Sequence, residues 1–497
     1  MDYSSLGIST IKSPSRHGVL RTRCRDGFLC VLVAGPSRPR LWHSNGVRLF
    51  LSRLVSLKRL GVAVSPTDIY IGVQNFEIGR TRQLRAVSAI SERYGKMLGN
   101  APTACVNPTL DMCAAPRFVP ARILFAIPSM VLGGSERVML NLLRHIDVKR
   151  FEPHVAVLER GGTWLENVPP HVQVHELGVW RARRSVFSFA GLCHKIRPQA
   201  VLSTSAHLNT AVVTARPLLP RGTSLLTREG ADITSPYAAL SRFRLSVYKH
   251  AYRRADVVIC QSDYMKENLI RQFGLARAKI VRIYNPVDID TIAGLAESKP
   301  KPFSETGPNL VAVGRFSHEK GFDLLLKCVP LIREAVPTVF VTLVGDGPDS
   351  AALKALHREL GLESCVRFVG LRRNPYPFLK HADLVVLPSR TEALPNVVLE
   401  AIGLGTPVVA TNCTGALGEI SSCTQRLRVA RNITIAALAS EIICALGETG
   451  ARSKASPEPQ FEARFGVRTV TRQYEQAFWQ SIHPGSANVS QHADALA

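Results

Sequence analysis

Short apolar runs alternate with helix-like segments along the middle of the chain, beginning near residue 122. A continuous apolar run of four to seven residues is typical of a strand that is buried on both faces of a parallel sheet. Strands that alternate with helices indicate βαβ units. The runs of this first series are 122–128, 155–158, 200–202, 224–226, 257–260 and 280–283.

A second series of the same kind follows a linker. The turn-rich residues 284–288 and the Lys/Pro/Ser/Glu-rich stretch 297–308 separate the two series. The pattern predicts an α/β protein of two Rossmann-like domains, 119–288 and 289–458, that face a central cleft, where ligands commonly bind. The runs of the second series are 309–314, 339–344, 366–369, 383–387 and 407–410.

The flanks of the chain show different patterns. Residues 1–118 contain 17 Lys+Arg and 6 Asp+Glu, and no regular periodicity connects their apolar pieces. We expect a poorly ordered basic extension there, or sequence translated from a misplaced start codon. Residues 459–483 predict a C-terminal helix that crosses back to the first domain, and 484–497 predict a disordered tail.

Charge is the unusual feature of the composition. The 497 residues include 62 Lys+Arg and 38 Asp+Glu, a net charge of +24, which is compatible with nucleic acid, an anionic membrane or a phosphorylated substrate as partner. Residues 119–288 hold 24 basic and 12 acidic side chains, whereas 289–497 hold 21 and 20. Outside residues 1–118, the excess of positive charge therefore belongs to the first domain.

One segment of the first domain carries both charge and apolar residues. Residues 242–254 predict a basic amphipathic helix in which Phe243, Leu245, Val247 and Tyr248 are available to an interface. Docking on anionic lipid is the functional interpretation, and an ordinary solvated helix face is the alternative.

Cysteine usage and hydropathy indicate the compartment. The eleven cysteines are odd in number and include no C-x-x-C pair, which argues against a disulfide framework or a zinc site. No apolar run reaches the ~18–20 residues of a membrane span. We expect a cytoplasmic protein that is peripheral on the inner face of the cytoplasmic membrane.

The loop after the apolar run 383–387 is the strongest local signal. Pro395 is a suitable first helical residue, so the loop from Glu392 to Asn396 would present backbone N–H groups at a helix N-terminus, which attracts phosphate. Glu400 lies further along this helix and could reach a ribose. The alternative is that Glu400 is an ordinary surface residue.

A second loop has the cations that a diphosphate requires. Arg315 and Lys320 lie between the end of one strand at Gly314 and the next helix. A planar fork and a compact ammonium suit the two phosphates of a nucleotide, although solvated side chains are equally compatible with the sequence. Neither loop matches a P-loop or a G-x-G-x-x-G fingerprint.

The first domain supplies two further candidates. Gly133 and Gly134 permit close backbone approach to the same phosphates, or simply form a tight turn. His207 follows the strand 200–202, so it should face the cleft from the carboxyl edge of the sheet, although a lone histidine is more often structural.

Together these elements resemble glycosyltransferase family 4, whose members are retaining, nucleotide-sugar-dependent enzymes of the GT-B fold. The resemblance covers roughly residues 121–480, and its details are similar to bacterial members that build polysaccharide, lipopolysaccharide or lipid-linked oligosaccharide. The motifs, in chain order, are Gly133-Gly134-Ser135-Glu136-Arg137, Gly314-Arg315 with Lys320-Gly321, Val344-Gly345-Asp346-Gly347-Pro348, Val366-Arg367-Phe368-Val369-Gly370, and Glu392 with Glu400.

The resemblance implies a role for each matching residue. Arg315 and Lys320 would neutralise the diphosphate without a metal ion, and Glu392 and His207 would lie beside the donor sugar and the reacting centre. Glu400 would bind ribose hydroxyls. The remaining donor-binding positions would be Gly133, Gly134 and Gly314 near the phosphates, Gly370 and Leu371 beside the base, and Ala393, Leu394, Pro395 and Asn396 as loop amides.

The resemblance thus implies transfer of a hexosyl or N-acetylhexosaminyl unit, with retention, from a nucleotide-diphosphate sugar to a glycan acceptor, which we expect to be linked to polyprenyl diphosphate. No cofactor or metal is expected. The alternatives are a nucleotide-sugar epimerase of the same fold and a basic nucleic-acid-binding protein. The latter should interleave cations with aromatics, which are only 7% of this chain, so we expect no nucleic-acid partner.

Overall fold

The structure is a computed structural model of the whole chain. The chain divides into two compact units, Met1–Pro116 and Arg117–Ala497. The residues that the structure describes are 30–34, 40–43, 70–74, 119–130, 133–159, 162, 165–178, 185–230, 242–297, 302–303, 307–449 and 458–484.

Three short strands form an antiparallel sheet in the first unit. They are β1 (Cys30–Ala34), β2 (Arg40–His43) and β3 (Tyr70–Gln74), with β1 in the centre. For residues 1–118 the sequence predicts a poorly ordered extension. Antiparallel strands need no helix between them, so the alternating pattern of βαβ units did not indicate this sheet. The other residues of 1–118 lie outside the described residues.

A seven-stranded parallel sheet forms the first domain of the second unit, in the order β10-β9-β8-β7-β4-β5-β6. Val, Ile and Leu fill its central strands, as expected where helices cover both faces. The strands are β4 (Ala121–Ile127), β5 (Phe151–Val157), β6 (Gln173–Glu176), β7 (Ala200–Thr204), β8 (Ser224–Arg228), β9 (Val257–Cys260) and β10 (Ile280–Arg282).

A six-stranded parallel sheet forms the second domain, in the order β13-β12-β11-β14-β15-β16. The two sheets confirm the predicted α/β architecture of two Rossmann-like domains. The strands are β11 (Asn309–Val313), β12 (Phe340–Val344), β13 (Val366–Gly370), β14 (Leu384–Leu387), β15 (Val408–Ala410) and β16 (Leu427–Val429).

Helices connect the strands and cover both sheets. In the first domain they are α1 (Gly134–His145), α2 (Ser185–Ile196), α3 (Ala206–Thr214), α4 (Arg242–Arg254) and α5 (Asp263–Phe273). From the linker onward they are α6 (Ile289–Ala296), α7 (Phe322–Ala335), α8 (Ser350–Glu359), α9 (Tyr376–His381), α10 (Asn396–Gly403), α11 (Ala416–Ser421), α12 (Ile435–Thr449), α13 (Pro459–Phe465) and α14 (Val467–Ile482).

In the two parallel sheets each predicted strand is present, and the sequence missed β6 and β16. Both missed strands lie at the edge of a sheet, and β6 is mostly exposed. An edge strand of three or four residues has too little buried surface to produce a continuous apolar run, which is why the pattern did not indicate them.

The C-terminal segment contains two helices instead of the single predicted one. Phe461 and Phe465 of α13 pack in the core of the second domain, whereas Tyr474 and Phe478 of α14 pack in the core of the first. The chain crosses between the domains at Gly466, whose extended backbone (φ −61°, ψ 138°) separates the helices. Of the predicted tail, residues 485–497 lie outside the described residues.

This crossing runs beside the linker. Val287 N–H donates to the Phe465 carbonyl (2.8 Å), and Val467 N–H donates to the Val287 carbonyl (2.9 Å). The linker and this second segment therefore run side by side where the chain passes between the domains. Within the described residues, none of the helices combines the length and apolar character needed to cross a bilayer.

A carboxylate of the second domain caps a helix of the first. Glu419 in α11 accepts hydrogen bonds from the backbone N–H groups of Asp263 and Tyr264, both at 3.0 Å, at the start of α5. It also accepts from the Tyr284 hydroxyl of the linker (2.9 Å). A carboxylate at a helix N-terminus is favoured by the unpaired N–H groups and the helix dipole, so this contact fixes one side of the domain interface.

Candidate active site

Two loops meet at the carboxyl edge of the second sheet. One follows β11 and the other follows β14, and these strands are adjacent. Arg390 joins the loops. Its backbone N–H donates to the Glu319 carbonyl (2.8 Å), and its guanidinium donates two hydrogen bonds of 2.7 Å to the Asp323 carboxylate. Burial would raise the pKa of Asp323, but the bonds from Arg390 and its charge hold that pKa below its ordinary value.

The predicted residues Lys320 and Glu392 form an ion pair between these loops. Lys320 Nζ lies 2.7 Å from Glu392 Oε1, which also accepts from the Ser389 hydroxyl (2.8 Å). Arg315 is exposed on the same β11 loop, next to buried Phe316. The structure thus brings the two predicted cations and the predicted carboxylate together at one sheet edge.

Glycines allow the β11 loop to pack closely. Gly321 has φ +64°, and a Cβ there would lie 2.1 Å from the Pro388 carbonyl oxygen of the neighbouring loop. A Cβ on Gly345 would similarly overlap the carbonyl oxygen of Gly314, at 1.8 Å. Only glycine fits at either position without a backbone shift, so these glycines allow the loops at this sheet edge to lie against one another.

The segment from Ala393 to Asn396 leads into α10. Pro395 is the N-cap of this helix, and Asn396 is the first helical residue, one position later than the sequence predicts. The side chains of Ala393 and Leu394 are buried in the cores on either side of the cleft. They anchor the loop at the domain interface.

A chain of hydrogen bonds runs through this loop from one domain to the other. Arg228 donates to Asn285 Oδ1 (2.6 Å), and Asn285 Nδ2 donates to Asn396 Oδ1 (2.6 Å). Asn396 Nδ2 then donates to the Gly134 carbonyl (3.0 Å). A Cβ on Gly134 would lie only 3.0 Å from that same Nδ2, so glycine permits the close approach of α1 to α10.

Arg228 is the charged end of this chain and is only 1% exposed. Its other hydrogen bonds go to the hydroxyls of Tyr474 (3.2 Å) and Thr204 (3.5 Å). Burial raises the pKa of the nearby Glu136 carboxyl, and the charge of Arg228 opposes this effect without cancelling it. The guanidinium thereby ties β8, the linker and α14 to one point beneath the cleft.

Glu400 is buried at 5% exposure, so the surface-residue alternative is wrong. Its Oε1 accepts a hydrogen bond from Arg137 of α1, across the domain interface. Burial alone would lower the pKa of Arg137, but the Glu400 carboxylate raises it well above its ordinary value. The nonpolar neighbours of α10 explain why this helix turns Glu400 inward: Val398, Leu399, Ala401 and Ile402 are all buried.

His207 lies at the carboxyl edge of the first sheet, as predicted, in the first turn of α3. Its Nδ1 is 2.6 Å from the hydroxyl of Tyr248 in α4, and the two rings meet edge to face. The preceding Ser205 has φ +72°, a strained conformation for a residue other than glycine. Such strain is concentrated at ligand-binding turns, which supports a functional position for this one.

The remaining predicted residues differ in how their positions can be explained. Gly370 ends β13 with φ +71°, which favours glycine, and Leu371 beside it is 62% exposed. Gly133 has an extended backbone (φ −153°) that any residue adopts, and it is the N-cap of α1. The backbone conformation of Gly133 therefore supports neither explanation offered for it, the close approach to phosphates or the tight turn.

Sequence reasoning missed four residues of the site region: Arg137, Arg228, Asn285 and Tyr248. Arg137 belongs to the glycine motif of α1, and Asn285 belongs to the turn-rich linker, so both lay in segments that the sequence singled out. No local pattern marks a buried arginine such as Arg228. Its partners come from Thr204, Asn285 and Tyr474, which are distant in sequence.

Two family models match the chain, one on each domain. Residues 132–291 match the model described as Glycosyltransferase Family 4, and residues 307–448 match the model described as Glycosyl transferases group 1. Each model thus covers most of one Rossmann-like domain, and the first match begins after β4.

Curated relatives carry glycosyltransferase names. The lipopolysaccharide core biosynthesis glycosyltransferase LpsD of Rhizobium meliloti is 29% identical over 57% of this chain and 76% of its own length. A Campylobacter jejuni diphospho-undecaprenol 4-alpha-N-acetylgalactosaminyltransferase is 23% identical over 59% of the chain and 81% of its own. The match to an uncharacterized glycosyltransferase of Methanocaldococcus jannaschii, MJ1059, is 29% identical over 36% of the chain and 45% of that protein.

Solved structures share the fold. A glycosyltransferase of Rickettsia africae superimposes with a TM-score of 0.61 and 17% sequence identity, over 73% of this chain and 99% of its own. At this identity the comparison establishes the two-domain architecture.

Proposed function

The chain belongs to glycosyltransferase family 4, and we propose that it transfers a hexosyl or N-acetylhexosaminyl unit from a nucleoside-diphosphate sugar to a lipid-linked glycan, with retention at the anomeric carbon. The donor would bind in the second domain, and the acceptor would bind in the basic first domain. The reaction would contribute to polysaccharide or lipopolysaccharide biosynthesis.

The Lys320–Glu392 pair beside Arg315 is the observation that carries this proposal. Two cations at the carboxyl edge of a parallel sheet, next to the N-terminus of α10, form a positive region of the kind that binds a diphosphate. Glu392 contacts Lys320 through Oε1, and its carboxylate would accept hydrogen bonds from sugar hydroxyls. Glu400 in the same helix would accept from the ribose.

The chemistry follows from the charges that develop as the bond to the donor sugar breaks. Cleavage between the anomeric carbon and the phosphate oxygen leaves negative charge on the diphosphate and positive character on the sugar. Arg315 and Lys320 would stabilise the leaving group by their fixed charge, in the role that a metal ion takes elsewhere. Retention would follow from attack by the acceptor hydroxyl on the same face of the sugar, with its proton passing to the departing phosphate oxygen.

A lipid-linked acceptor is supported by the charge of the first domain and by a relative's name. The Campylobacter jejuni relative is named for a diphospho-undecaprenol substrate. In α4, Phe243 is 77% exposed, Val247 one turn later is also exposed, and Arg254 is exposed at the end of the helix. Tyr248 and Leu245 pack inward, so the apolar face is narrower than the sequence predicts. We propose that this face contacts anionic lipid on the cytoplasmic side of the membrane.

Donor binding is tested by the thermal stability of the purified chain with UDP-, GDP- and ADP-sugars. We expect one nucleotide series to raise the melting temperature, since a ligand that binds only the folded state stabilises it. Lys320→Met should abolish this shift, whereas Lys354→Met, which removes an exposed lysine of α8, should retain it. No shift with any nucleotide sugar would contradict the proposal.

Release of the nucleoside diphosphate separates transfer from the epimerase alternative. Transfer releases it only when an acceptor is present, whereas an epimerase interconverts the free nucleotide sugar. The membrane contact is tested separately by flotation with vesicles that contain anionic lipid. Phe243→Ser with Arg254→Glu should reduce flotation, and Arg358→Glu, a charge reversal on α8 of the second domain, should not.

A further inference from the structure

Arg137 and Glu400 form a buried ion pair between the two domains. Arg137 lies in the first turn of α1, in the first domain, and Glu400 lies in the second turn of α10, in the second domain. The exposed fractions of the two side chains are 20% and 7%. Both helices begin at the cleft, so the pair joins the two helix N-termini that face each other there.

An aromatic ring of the second domain also lies near the guanidinium. The Cζ atom of Arg137 lies 5.6 Å from the ring centroid of Tyr376, which is buried in α9 of the second domain. A cation within about 6 Å of an aromatic ring centroid is attracted to the ring. Tyr376 and Glu400 therefore both hold the guanidinium against the second domain.

The pair also gives this buried carboxylate a cationic partner. A buried carboxylate that lacks a cationic or hydrogen-bonding partner is strongly unfavourable. Glu400 obtains its cation from the other domain. If the first domain moved away from the second, Glu400 would lose both its partner and the bond that orients it.

We propose that Arg137 is a positioning residue for the donor nucleotide: it holds the Glu400 carboxylate oriented to accept hydrogen bonds from ribose hydroxyls. This inference rests on the proposed function, because it requires that Glu400 binds the ribose. It adds that a residue of the acceptor domain determines nucleotide affinity in the donor domain.

One consequence is coupling between nucleotide binding and the position of the domains. Glu400 binds ribose best in the arrangement that keeps Arg137 in contact, so ribose binding favours that arrangement in return. Asn396 Nδ2 and the Gly134 carbonyl make a second contact between the same two helices (3.0 Å). The α1–α10 contact is thus the part of the interface that responds to the nucleotide.

The test compares nucleotides with and without ribose hydroxyls. The probes are UDP, GDP and ADP and the 2′,3′-dideoxy analogue of each. Calorimetry measures their dissociation constants from four proteins: the wild type, Glu400→Gln, Arg137→Met and Arg137→Lys. For the base that binds, we expect Arg137→Met to weaken the ribonucleotide about ten- to a hundredfold. The dideoxy analogue should bind this variant within about twofold of the wild type, because a charge-assisted bond to the hydroxyls is what is lost. Arg137→Lys should recover part of the difference.

The outcomes distinguish this inference from the proposed function. If the wild type binds none of the three diphosphates, or Glu400→Gln leaves the preference for ribonucleotide intact, the proposed function or its assignment of Glu400 fails. If Glu400→Gln removes the preference but Arg137→Met and Arg137→Lys keep it, the inference alone is overturned. Equal weakening of both nucleotides by the arginine variants, or tighter ribonucleotide binding, would also overturn it. Thermal unfolding of each variant confirms that it is folded.

Discussion

The Lys320 ammonium lies 2.7 Å from the Glu392 carboxylate, and this pair joins the loops that follow two adjacent strands, β11 and β14. The sequence assigned the two residues to separate contacts, with the diphosphate and the donor sugar. Their proximity implies that each sets the charge environment of the other. A cation that already contacts a carboxylate is also held in place before the donor arrives, which favours electrostatic stabilisation of the leaving group.

A double-mutant cycle measures this relationship. We expect Lys320→Met to lower kcat/KM about a hundredfold or more, since it removes a charge that stabilises the leaving group. Glu392→Gln should lower it about tenfold, and the double variant should be no worse than Lys320→Met alone, because groups that act as a unit are not additive. Strictly additive losses would show that the two side chains act independently.

The hydrogen bond between Tyr248 and His207 predicts a second effect. Tyr248→Phe removes the hydroxyl that contacts His207 Nδ1, so the imidazole ring of His207 is free to rotate. We propose that this contact orients His207 at the reacting centre, so we expect kcat to fall about tenfold with little change in the donor KM. A general acid or base contributes about 10²–10⁴-fold, and this variant keeps the histidine itself. The matched control is Tyr252→Phe on the same helix, whose hydroxyl donates to Glu229 and contacts Asn209. That variant should lose stability but keep kcat, and equal losses of kcat would contradict the assignment.

The fold was predictable because its information is local. Each buried central strand, such as Ala121–Ile127 or Leu384–Leu387, forms a continuous apolar run bounded by turn residues. Two series of such runs separated by a linker are sufficient to indicate two Rossmann-like domains. The loops at the strand ends follow from the same reasoning, since ligands bind at the carboxyl edge of parallel sheets.

The linker residue Asp288 predicts a dependence of stability on pH. Its carboxylate caps α6 through Thr291 N–H (3.2 Å) and contacts His145 Nε2 of the first domain (2.8 Å). Burial would raise the pKa of Asp288, but these hydrogen bonds hold that pKa below its ordinary value. A depressed carboxyl pKa stabilises the fold above the unfolded pKa, and the effect is lost as the pH falls through the folded pKa.

We therefore expect Asp288→Asn to cost about 1 kcal/mol of unfolding free energy near neutral pH, because Asn can still cap α6 but removes the charge from the hydrogen bond to His145. The difference in unfolding free energy between variant and wild type should shrink as the pH falls below 3.8, the ordinary pKa of an aspartate. Denaturant titrations at a series of pH values measure it. Asp290→Asn, an exposed aspartate in the same helix, should show little difference at any pH. A cost that is independent of pH would contradict the role given to the charge.

The second crossing between the domains predicts a requirement for glycine at position 466. A Cβ there would lie 2.5 Å from the backbone oxygen of Glu462, so the chain must shift. We expect Gly466→Ala to lower the unfolding free energy by about 1–3 kcal/mol, with a corresponding fall in melting temperature. Gly447→Ala is the control, because that glycine is exposed within α12 and has no atom near its Cβ position. It should stabilise the protein slightly, and a similar loss in both variants would contradict the steric argument.

The missed features share a physical cause. Arg137 and Glu400 are 263 positions apart, and Arg228 and Tyr474 are 246 apart. No periodicity or spacing relates residues at such distances, so a single sequence cannot show that they pair. Glu400 illustrates the consequence: solitary glutamates are usually exposed, and only the partner from the other domain explains why this one is buried. The break at Gly466 was missed for a related reason, because the helical apolar pattern continues across it.

Acceptor-dependent transfer tests the central claim most directly. The purified chain is incubated with radiolabelled sugar nucleotide of the base it binds, with and without a polyprenyl-diphosphate-linked glycan fraction. Glycosyl transfer predicts label in the lipid-linked product and equimolar release of nucleoside diphosphate, both only when the acceptor is present and both lost in Lys320→Met. Interconversion of the free sugar nucleotide without acceptor, or transfer undiminished in Lys320→Met, would contradict the account.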